Sequence, residues 1–228
     1  MIKLGLIGKK IGHSKSQEMY EKILNRPVNY TLLDYEKPTD IPPLSVLLKT
    51  YNGLSVTAPY KSFLYNEELA ENRIKPFGST NCIRLVDDSV QMTNTDFLAI
   101  NEILPSLIIN YSIKKCIVLG NGSMAAIVIA LLKSRLIPFV QLYRQRDGDL
   151  NLLNFNSICN DSPSEQLMIN CCSRDFVLKA AIPKQIVFWD LNYSMNEHEY
   201  LRQVCQYHDG LDLLYKQAQH ALKYWSIA

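Results

Sequence analysis

One stretch of the sequence combines residue types and spacing suited to moving a proton. In Gly53–Lys61 a short apolar strand ends at Val56, Thr57 follows it, and Pro59 is well placed as the first residue of a helix. The ends of strands in open α/β sheets face the crevice in which ligands bind. Lys61 would there hold an anion or, when desolvated, exchange a proton near neutral pH. A helix-start threonine and a solvated lysine also fit this stretch, so both interpretations stay open.

Asp96 is the carboxylate that would complete such a proton-transferring pair. It follows a predicted β-hairpin and opens a predicted helix from Phe97 to Leu107. An aspartate at this place either caps the helix or points its carboxylate at the crevice that holds Lys61. The sequence alone favours neither role.

Two serines form a second candidate binding corner. Ser14 and Ser16 lie in a polar turn between a strand, Ile2–Ile7, and a predicted helix, Gln17–Leu24. Serines in this position usually cap the helix, and Ser14 with Gln17 has the spacing of a capping box. The functional alternative is that both hydroxyls and the helix N–H groups bind a carboxylate.

A glycine-rich turn indicates dinucleotide binding. The strand Lys115–Leu119 leads into Gly120-Asn121-Gly122-Ser123, which opens an apolar helix. In this context the first glycine permits a tight turn and the second lets the backbone approach a pyrophosphate. About twenty residues later, where an acidic residue would select NAD, the chain has Arg144. The pattern therefore favours NADP, with a solvated arginine as the alternative.

The elements predicted to position these residues alternate between strands and helices. The final helix has an apolar stripe at helical spacing, and Gln217 lies on a neighbouring side of it. The predicted strands are 2–7, 28–34, 54–56, a hairpin ending at 93, 115–119, 137–143, 166–170 and 185–191, and the predicted helices are 17–24, 42–49, 65–73, 97–107, one ending near 132, 196–205 and 210–225.

Composition excludes several classes of protein. The 228 residues are 47% hydrophobic and 20% charged, as in an ordinary globular protein, and the net charge of +2 gives no basic stripe for nucleic acid. No apolar run approaches the roughly eighteen residues of a membrane span. The six cysteines lack metal-site spacing, so we expect a cytoplasmic protein with free thiols and no metal.

Taken together, the motifs of the chain resemble those of the shikimate dehydrogenase family over essentially its whole length. Each motif is modest by itself, but their order along the chain is specific. The segments that carry the resemblance are Ser14-Lys15-Ser16, Ser55–Lys61, Gly78–Asn81, Thr93–Phe97, Gly120–Ser123, Tyr143–Gln145, Ile169–Ser173, Asp190–Tyr193 and Asp209–Ala218.

The resemblance implies a two-domain α/β enzyme that reversibly reduces 3-dehydroshikimate to shikimate with NADPH, in the biosynthesis of chorismate and the aromatic amino acids. The implied catalytic domain comprises residues 1–97 and is completed by 208–228, which include the C-terminal helix. A Rossmann-like NADP-binding domain, 98–207, is inserted between them. A small-molecule substrate, no nucleic acid or membrane partner, and a monomer or homodimer are expected.

The resemblance also implies a role for each site residue. Lys61 and Asp96 would lie at the reacting hydroxyl, with Lys61 the principal acid/base. The residues implied to bind the substrate are Ser14, Ser16 and Tyr193 at its carboxylate and Thr57, Asn81 and Gln217 at its ring hydroxyls; those implied to bind NADP are Gly120, Asn121, Gly122, Ser123, Arg144 and Asp212.

The chain departs from the family pattern mainly on the cofactor side. Ser123 and Met124 replace small residues, and Asp212 stands where a glycine is expected near the nicotinamide. These departures motivate one alternative, a non-catalytic shikimate-binding paralogue whose cofactor site has weakened, against which the presence of both Lys61 and Asp96 argues. A second alternative is a quinate or quinate/shikimate dehydrogenase, because the paired serines discriminate only weakly in favour of shikimate.

Overall fold

The chain folds into two compact units. The computed structural model describes residues 2–159 and 162–227. The first unit continues to Ala99 and resumes at Leu214, and the second unit comprises Ile100–Leu213. Both changes from one unit to the other fall inside a helix.

The helices and strands alternate along the chain much as the sequence predicts. Short 3-10 helices occur at Pro38–Asp40, Asn72–Phe77, Leu150–Leu152, Pro163–Glu165 and Asn196–His198. The longer elements, in chain order, are β1 Lys3–Gly8, α1 Ser16–Leu24, β2 Asn29–Asp34, α2 Leu44–Leu47, β3 Gly53–Val56, β4 Cys82–Val86, β5 Ser89–Thr93, α3 Thr95–Asn110, β6 Lys115–Leu119, α4 Ser123–Ser134, β7 Phe139–Leu142, α5 Arg144–Asp147, α6 Phe155–Ile158, β8 Gln166–Asn170, β9 Val187–Asp190, α7 Leu201–Val204, β10 Gln206–His208 and α8 Leu211–Tyr224.

The first unit is built on a mixed sheet with the strand order β2-β1-β3-β4-β5. The strands β2, β1 and β3 are parallel, while β4 and β5 form an antiparallel hairpin. Its turn places Asp87 and Asp88 at φ 48° and 60°, a conformation that aspartate tolerates in two-residue hairpin turns. The side chains of Leu54 and Ile83 on adjacent strands are fully buried in its core.

The C-terminal helix completes the first unit, as the sequence predicts. A Cβ at Gly53 would lie 2.3 Å from the Trp225 ring, so only glycine lets this tryptophan pack against β3. The Trp225 indole Nε1 donates a 3.0 Å hydrogen bond to the carbonyl of Ile83. The last turns of α8 are therefore fixed to the sheet by both packing and a buried hydrogen bond.

The second unit contains a parallel sheet with the order β10-β9-β8-β6-β7. Residues of β6, β8 and β9 are almost fully buried, as expected for strands covered on both faces. The strand order reverses between β6 and β8. In open parallel sheets, ligands bind at the carboxyl ends of the two strands on either side of this point. The predicted α/β class with a Rossmann-like second domain is confirmed.

Several predicted helices are wrong. No helix begins at Pro59: residues 58–64 form successive turns, with hydrogen bonds from Tyr60 N to Thr57 O and from Leu64 N to Tyr60 O. The Tyr60 side chain is 2% exposed and donates to the Tyr35 carbonyl, so tertiary anchoring overrides the local signal. The predicted helix at 65–73 is replaced by turns and a 3-10 helix, and that at 196–205 is divided into two short pieces.

None of the helices within the described ranges is both long and apolar enough to cross a membrane.

Candidate functional site

Lys61 and Asp96 form the closest charged pair of the first unit's candidate site. The Lys61 Nζ donates a 2.7 Å hydrogen bond to Asp96 Oδ2, and the two side chains are 16% and 10% exposed. The Lys61 carbonyl accepts from Thr80 N at 3.0 Å, which ties the turn to the loop before β4. The predicted meeting of the two groups is present in the structure, although Lys61 stands on a turn and not on a helix.

Asn94 explains why the Asp96 carboxylate is available to the lysine. The Asn94 Oδ1 accepts from the N–H groups of Asp96 and Phe97 at 3.1 and 3.2 Å, and so caps α3. Its amide nitrogen donates to the carbonyl and hydroxyl of Ser79. Asp96 is therefore not the helix cap. Sequence reasoning missed Asn94, although asparagine two residues ahead of the first-turn N–H groups is a strong capping signal.

Ser14 and Ser16 lie together, but they do not form the predicted capping box. Lys15 occupies the N-cap of α1 without a side-chain capping bond, and Gln17 instead donates to Glu21. The Ser14 Oγ donates to Ser16 Oγ at 3.1 Å and accepts from Ser16 N at 3.3 Å. The two hydroxyls thus form one polar corner at the start of α1.

The Asn81 side chain is part of a polar chain that leads to the C-terminal helix. Its Oδ1 accepts from Thr95 N at 2.6 Å and lies 3.2 Å from Thr95 Oγ1, which is also 3.2 Å from Gln217 Oε1. Gln217 Nε2 donates to the Leu214 carbonyl. The structure therefore brings two predicted substrate-binding amides together, one residue from Asp96. Thr95 links them and was not singled out in the sequence.

Thr57 lies where β3 ends. Its N–H donates to the Ile7 carbonyl at 2.9 Å, which extends the pairing of β1 and β3 by one residue. A Cβ at Gly8 would lie 2.6 Å from the Thr57 methyl group, so glycine there makes room for the threonine. On the same strand, Ser55 forms a buried 3.0 Å hydrogen bond with the hydroxyl of Tyr20. Burial raises the pKa of Tyr20, which keeps this phenol neutral.

The glycine turn of the second unit has the geometry that the sequence predicts. Gly120 has φ +103°, and a Cβ there would lie 3.1–3.2 Å from backbone atoms of Cys171 and Cys172. Gly122 has an ordinary φ of −78°, and a Cβ there would meet nothing within 4 Å. Gly120 is thus required by the backbone. Gly122 leaves open space beside the first turn of α4.

The residues after Gly122 determine how well this turn suits a pyrophosphate. Helix α4 begins at Ser123 without a side-chain cap, so its first turn offers backbone N–H groups to an anion. Asn121 is exposed, and Ser123 and Met124 are partly buried. Open space at Gly122 and an uncapped helix start fit the phosphate groups of a dinucleotide.

The two arginines after β7 have different surroundings. Arg146 donates to both carboxylate oxygens of Asp147 and to the Gln141 carbonyl, and it lies over the Tyr143 ring. Arg144 is exposed, and its side chain forms no hydrogen bond or ion pair with any residue that the structure describes. Arg144 therefore keeps its donors available for a phosphate, whereas those of Arg146 are in use.

Tyr193 and Asp212 lie in the second unit. The Tyr193 carbonyl accepts from Arg174, whose guanidinium lies 5.5 Å from the centre of the tyrosine ring. Asp212 is exposed in the first turn of α8. Burial lowers the pKa of the nearby His208, and the charge of Asp212 opposes this shift.

The cysteines carry no sign of reactive chemistry. Those in the described chain are free, and burial raises the pKa of Cys172 beside the glycine turn to about 11. Such a thiol stays protonated at neutral pH. In residues 2–159 and 162–227 no group of three or more His, Cys, Asp or Glu side chains is placed to hold a metal ion.

The sequence relatives of the chain include enzymes named shikimate dehydrogenase (NADP(+)), and its structural neighbours include shikimate dehydrogenases and a quinate dehydrogenase from Corynebacterium glutamicum. No family model matches the chain. The shikimate dehydrogenase (NADP(+)) of Clostridium perfringens is 25% identical over 250 residues, covering 97% of this chain and 91% of that protein. The enzyme of the same name from Saccharolobus solfataricus is 27% identical over 243 residues, covering 97% and 88%.

Solved structures share the fold over nearly the full length. Shikimate dehydrogenase 1 from Peptoclostridium difficile superposes with a TM-score of 0.73 at 23% identity, covering 99% of this chain and 92% of that one. Shikimate 5-dehydrogenase from Thermus thermophilus, solved with NADP(H) and shikimate, gives a TM-score of 0.74 at 19% identity, covering 99% and 94%.

The two sheets and the glycine turn define a two-unit α/β protein whose second unit is Rossmann-like. Within that class, the chain is similar over nearly its whole length to shikimate dehydrogenases, at 25–27% identity.

Proposed function

We propose that this protein is an NADP-dependent shikimate dehydrogenase, which interconverts 3-dehydroshikimate and shikimate. The observation that carries the proposal is the 2.7 Å hydrogen bond between Lys61 and Asp96. Conversion of a secondary alcohol to a ketone requires an acid/base group beside the hydroxyl. A lysine whose amine is held in place by a carboxylate suits that role.

Lys61 and Asp96 would control the proton. A bound NADP⁺ would supply the hydride acceptor for this oxidation. The Lys61 amine would take the proton of the reacting hydroxyl, and in the reverse direction its ammonium would return the proton to the carbonyl oxygen. Asp96 holds the amine in position and stabilises its charged form. A positioned acid/base of this kind contributes about 10²–10⁴-fold to the rate.

The polar groups of the first unit would bind and orient the substrate. Ser14 and Ser16, whose hydroxyls are 3.1 Å apart, would donate to the substrate carboxylate. Thr57 and the connected amides of Asn81 and Gln217 would bind the ring hydroxyls. These neutral groups fix the orientation of the ring without competing with Lys61 for the proton. Tyr193 would contribute a further hydroxyl to the carboxylate.

The second unit would bind NADP. The turn Gly120–Ser123 would hold the pyrophosphate, and Arg144 would pair with the 2′-phosphate because its guanidinium is not bonded to any described residue. Asp212, in the first turn of α8, would lie on the nicotinamide side. We accordingly assign substrate binding and catalysis to 1–97 with 208–228, and cofactor binding to 98–207.

The free cysteines indicate the cellular compartment in which the protein acts. Free, mostly buried thiols in the described chain suit a reducing compartment, so we expect a cytoplasmic enzyme. We expect it to act as a monomer or a homodimer.

The experiment mixes purified protein with shikimate and NADP⁺ and follows absorbance at 340 nm. Parallel reactions replace NADP⁺ with NAD⁺ and shikimate with quinate. We expect NADPH formation with shikimate and much slower reaction in both parallel wells. Binding of shikimate without any NADPH formation would contradict the proposal and favour a non-catalytic binding protein. Faster turnover of quinate would favour a quinate dehydrogenase.

A further inference from the structure

A fully buried aspartate and histidine lie at the carboxyl edge of the second sheet. Asp190, the last residue of β9, and His198 are both 0% exposed. Their side chains meet at 2.6 Å, between His198 Nδ1 and Asp190 Oδ2. Neither residue belongs to the proton-transferring pair of the first unit. Burial of a carboxylate costs free energy unless hydrogen-bond donors satisfy its oxygens.

The hydrogen bonds define the state of the histidine. His198 Nε2 lies 2.9 Å from the backbone N–H of Leu178, which donates to it. Because that nitrogen accepts, the ring proton of the neutral imidazole lies on Nδ1 and is donated to Asp190. The histidine therefore connects the 170–180 segment to the aspartate and adds no charge.

Asp190 is surrounded by neutral donors. Its Oδ2 also accepts from the hydroxyl of Tyr207, whose pKa is raised by burial and by the carboxylate. Its Oδ1 accepts from Asn170 Nδ2 at 3.0 Å and from the backbone N and Nδ2 of Asn192 at 3.0 and 3.2 Å. Donors on all sides match an ionised carboxylate, which can only accept.

The two asparagines continue the network to Cys172. The Asn170 Oδ1 accepts from Cys172 N at 3.1 Å, and Asn192 Nδ2 donates to Cys172 O at 3.2 Å. The Asn170 amide binds the N–H of Cys172, and the Asn192 amide binds its carbonyl. Because both amides also donate to Asp190, the carboxylate fixes the orientation of each. Replacing its carboxylate would free both amides to rotate.

Cys172 in turn borders the glycine turn. A Cβ on Gly120 would lie 3.2 Å from Cys172 N and 3.1 Å from the carbonyl carbon of Cys171. The Cys171 N–H also donates to the Leu119 carbonyl at 2.9 Å, directly before Gly120. A displacement of Cys171 and Cys172 would therefore move the backbone at Gly120 directly, because no flexible side chain lies between them.

We infer that Asp190 and His198 are positioning residues for the dinucleotide turn, acting through the Asn170 and Asn192 amides and the backbone of Cys172. The inference rests on the proposed function, because it assigns NADP(H) to the turn at Gly120. Neither residue needs to touch the cofactor. Their effect is to hold the wall of the turn in the position that a pyrophosphate requires.

The test is a fluorescence titration of the full-length protein with NADPH. His198→Leu removes the bond to Asp190 and leaves the Leu178 N–H without its acceptor, so we expect the Kd to rise about tenfold. His198→Gln offers an amide N–H to Asp190 and an oxygen to Leu178, so we expect a Kd within about threefold of the wild type.

A milder variant covers the case in which His198→Leu does not fold. Tyr207→Phe removes one donor from Asp190 while keeping the ring against Phe188. We expect its Kd to rise about threefold. The matched control is Tyr111→Phe, which removes a comparable bond to His208 in the same unit, outside the network. That variant should bind NADPH as the wild type does.

The outcomes separate the two proposals. A lowered urea midpoint with an unchanged NADPH Kd in Tyr207→Phe and in folded His198→Leu would overturn the positioning role and leave the proposed function intact. A wild-type protein that does not bind NADPH would overturn the proposed function, and this inference with it. A raised Kd that His198→Gln restores would support the inference.

Discussion

The candidate sites of the two units are built in different ways. In the first unit, the site consists of side chains held by other side chains: Asn94 caps the helix that carries Asp96, and Thr95 links two amides. In the second unit, the site consists of a backbone turn and the exposed Arg144. The first arrangement fixes the orientation of several polar side chains next to Asp96. The second leaves space and N–H groups for a large anion.

This difference predicts that substitutions in the two units affect different kinetic quantities. Substitutions in the first unit should lower the turnover rate at saturating substrate, since they would disturb the groups that we propose act on the reacting hydroxyl. Substitutions in the second unit should weaken cofactor binding and leave the rate at saturating cofactor largely unchanged.

The largest effect is expected for Lys61→Met. Loss of the amine removes the proposed acid/base, so kcat for shikimate oxidation should fall about 10²–10⁴-fold. The NADPH Kd, measured by fluorescence, should stay within about twofold of the wild-type value because the glycine turn is unchanged. Lys49→Met, at an exposed lysine of the same unit, is the control and should keep full activity.

The corresponding backbone substitution in the second unit is Gly120→Ala. A Cβ at φ +103° is strained and presses on Cys171 and Cys172, so we expect NADPH affinity to fall about tenfold or more. Gly148→Ala is the matched control, because φ is +77° there but a Cβ meets nothing within 4 Å. Equal losses of affinity in the two variants would argue against a role for the turn.

A smaller and more selective effect is expected for Arg144→Ala. Removing a guanidinium that pairs with a phosphate should raise the Kd for NADP⁺ about tenfold and leave the Kd for NAD⁺ unchanged. Arg146→Ala serves as the comparison, since that arginine is already bonded to Asp147 and Gln141. If Arg146→Ala alone abolished the preference for NADP⁺, the assignment of the 2′-phosphate to Arg144 would be wrong.

Asn94→Ala is expected to act mainly on stability. Loss of the cap on α3 and of the bonds to Ser79 should lower the free energy of unfolding by about 2 kcal/mol, measured by urea unfolding. The kcat should fall less than in Lys61→Met, because the lysine and the carboxylate remain. Asn110→Ala, at the exposed end of the same helix, should change neither quantity.

The sequence predicted the parts of the molecule that depend on local patterns. The strands β6 and β8 were predicted with the bounds that they have, and the spacing of Gly120 and Gly122 identified the turn. The helix expected from Pro59 does not form, because Tyr60 is anchored in the core through a hydrogen bond to Tyr35 that no local pattern encodes.

The polar networks were the least predictable part of the site. The bond from Thr80 N to the Lys61 carbonyl and the link between Thr95 and Gln217 join residues far apart in the chain. Likewise, His198 gave no signal, since a single histidine in a polar stretch is usually solvated. Such contacts follow from tertiary packing and become visible only in the folded structure.

A double-mutant cycle shows whether Lys61 and Asp96 act together on one proton. Turnover of shikimate at saturating NADP⁺ is measured for Lys61→Met, Asp96→Asn and the double variant. We predict that the double variant is no slower than Lys61→Met, because without the amine the carboxylate has nothing to hold. If the two losses multiply instead, the residues act independently, and the account of the pair is contradicted.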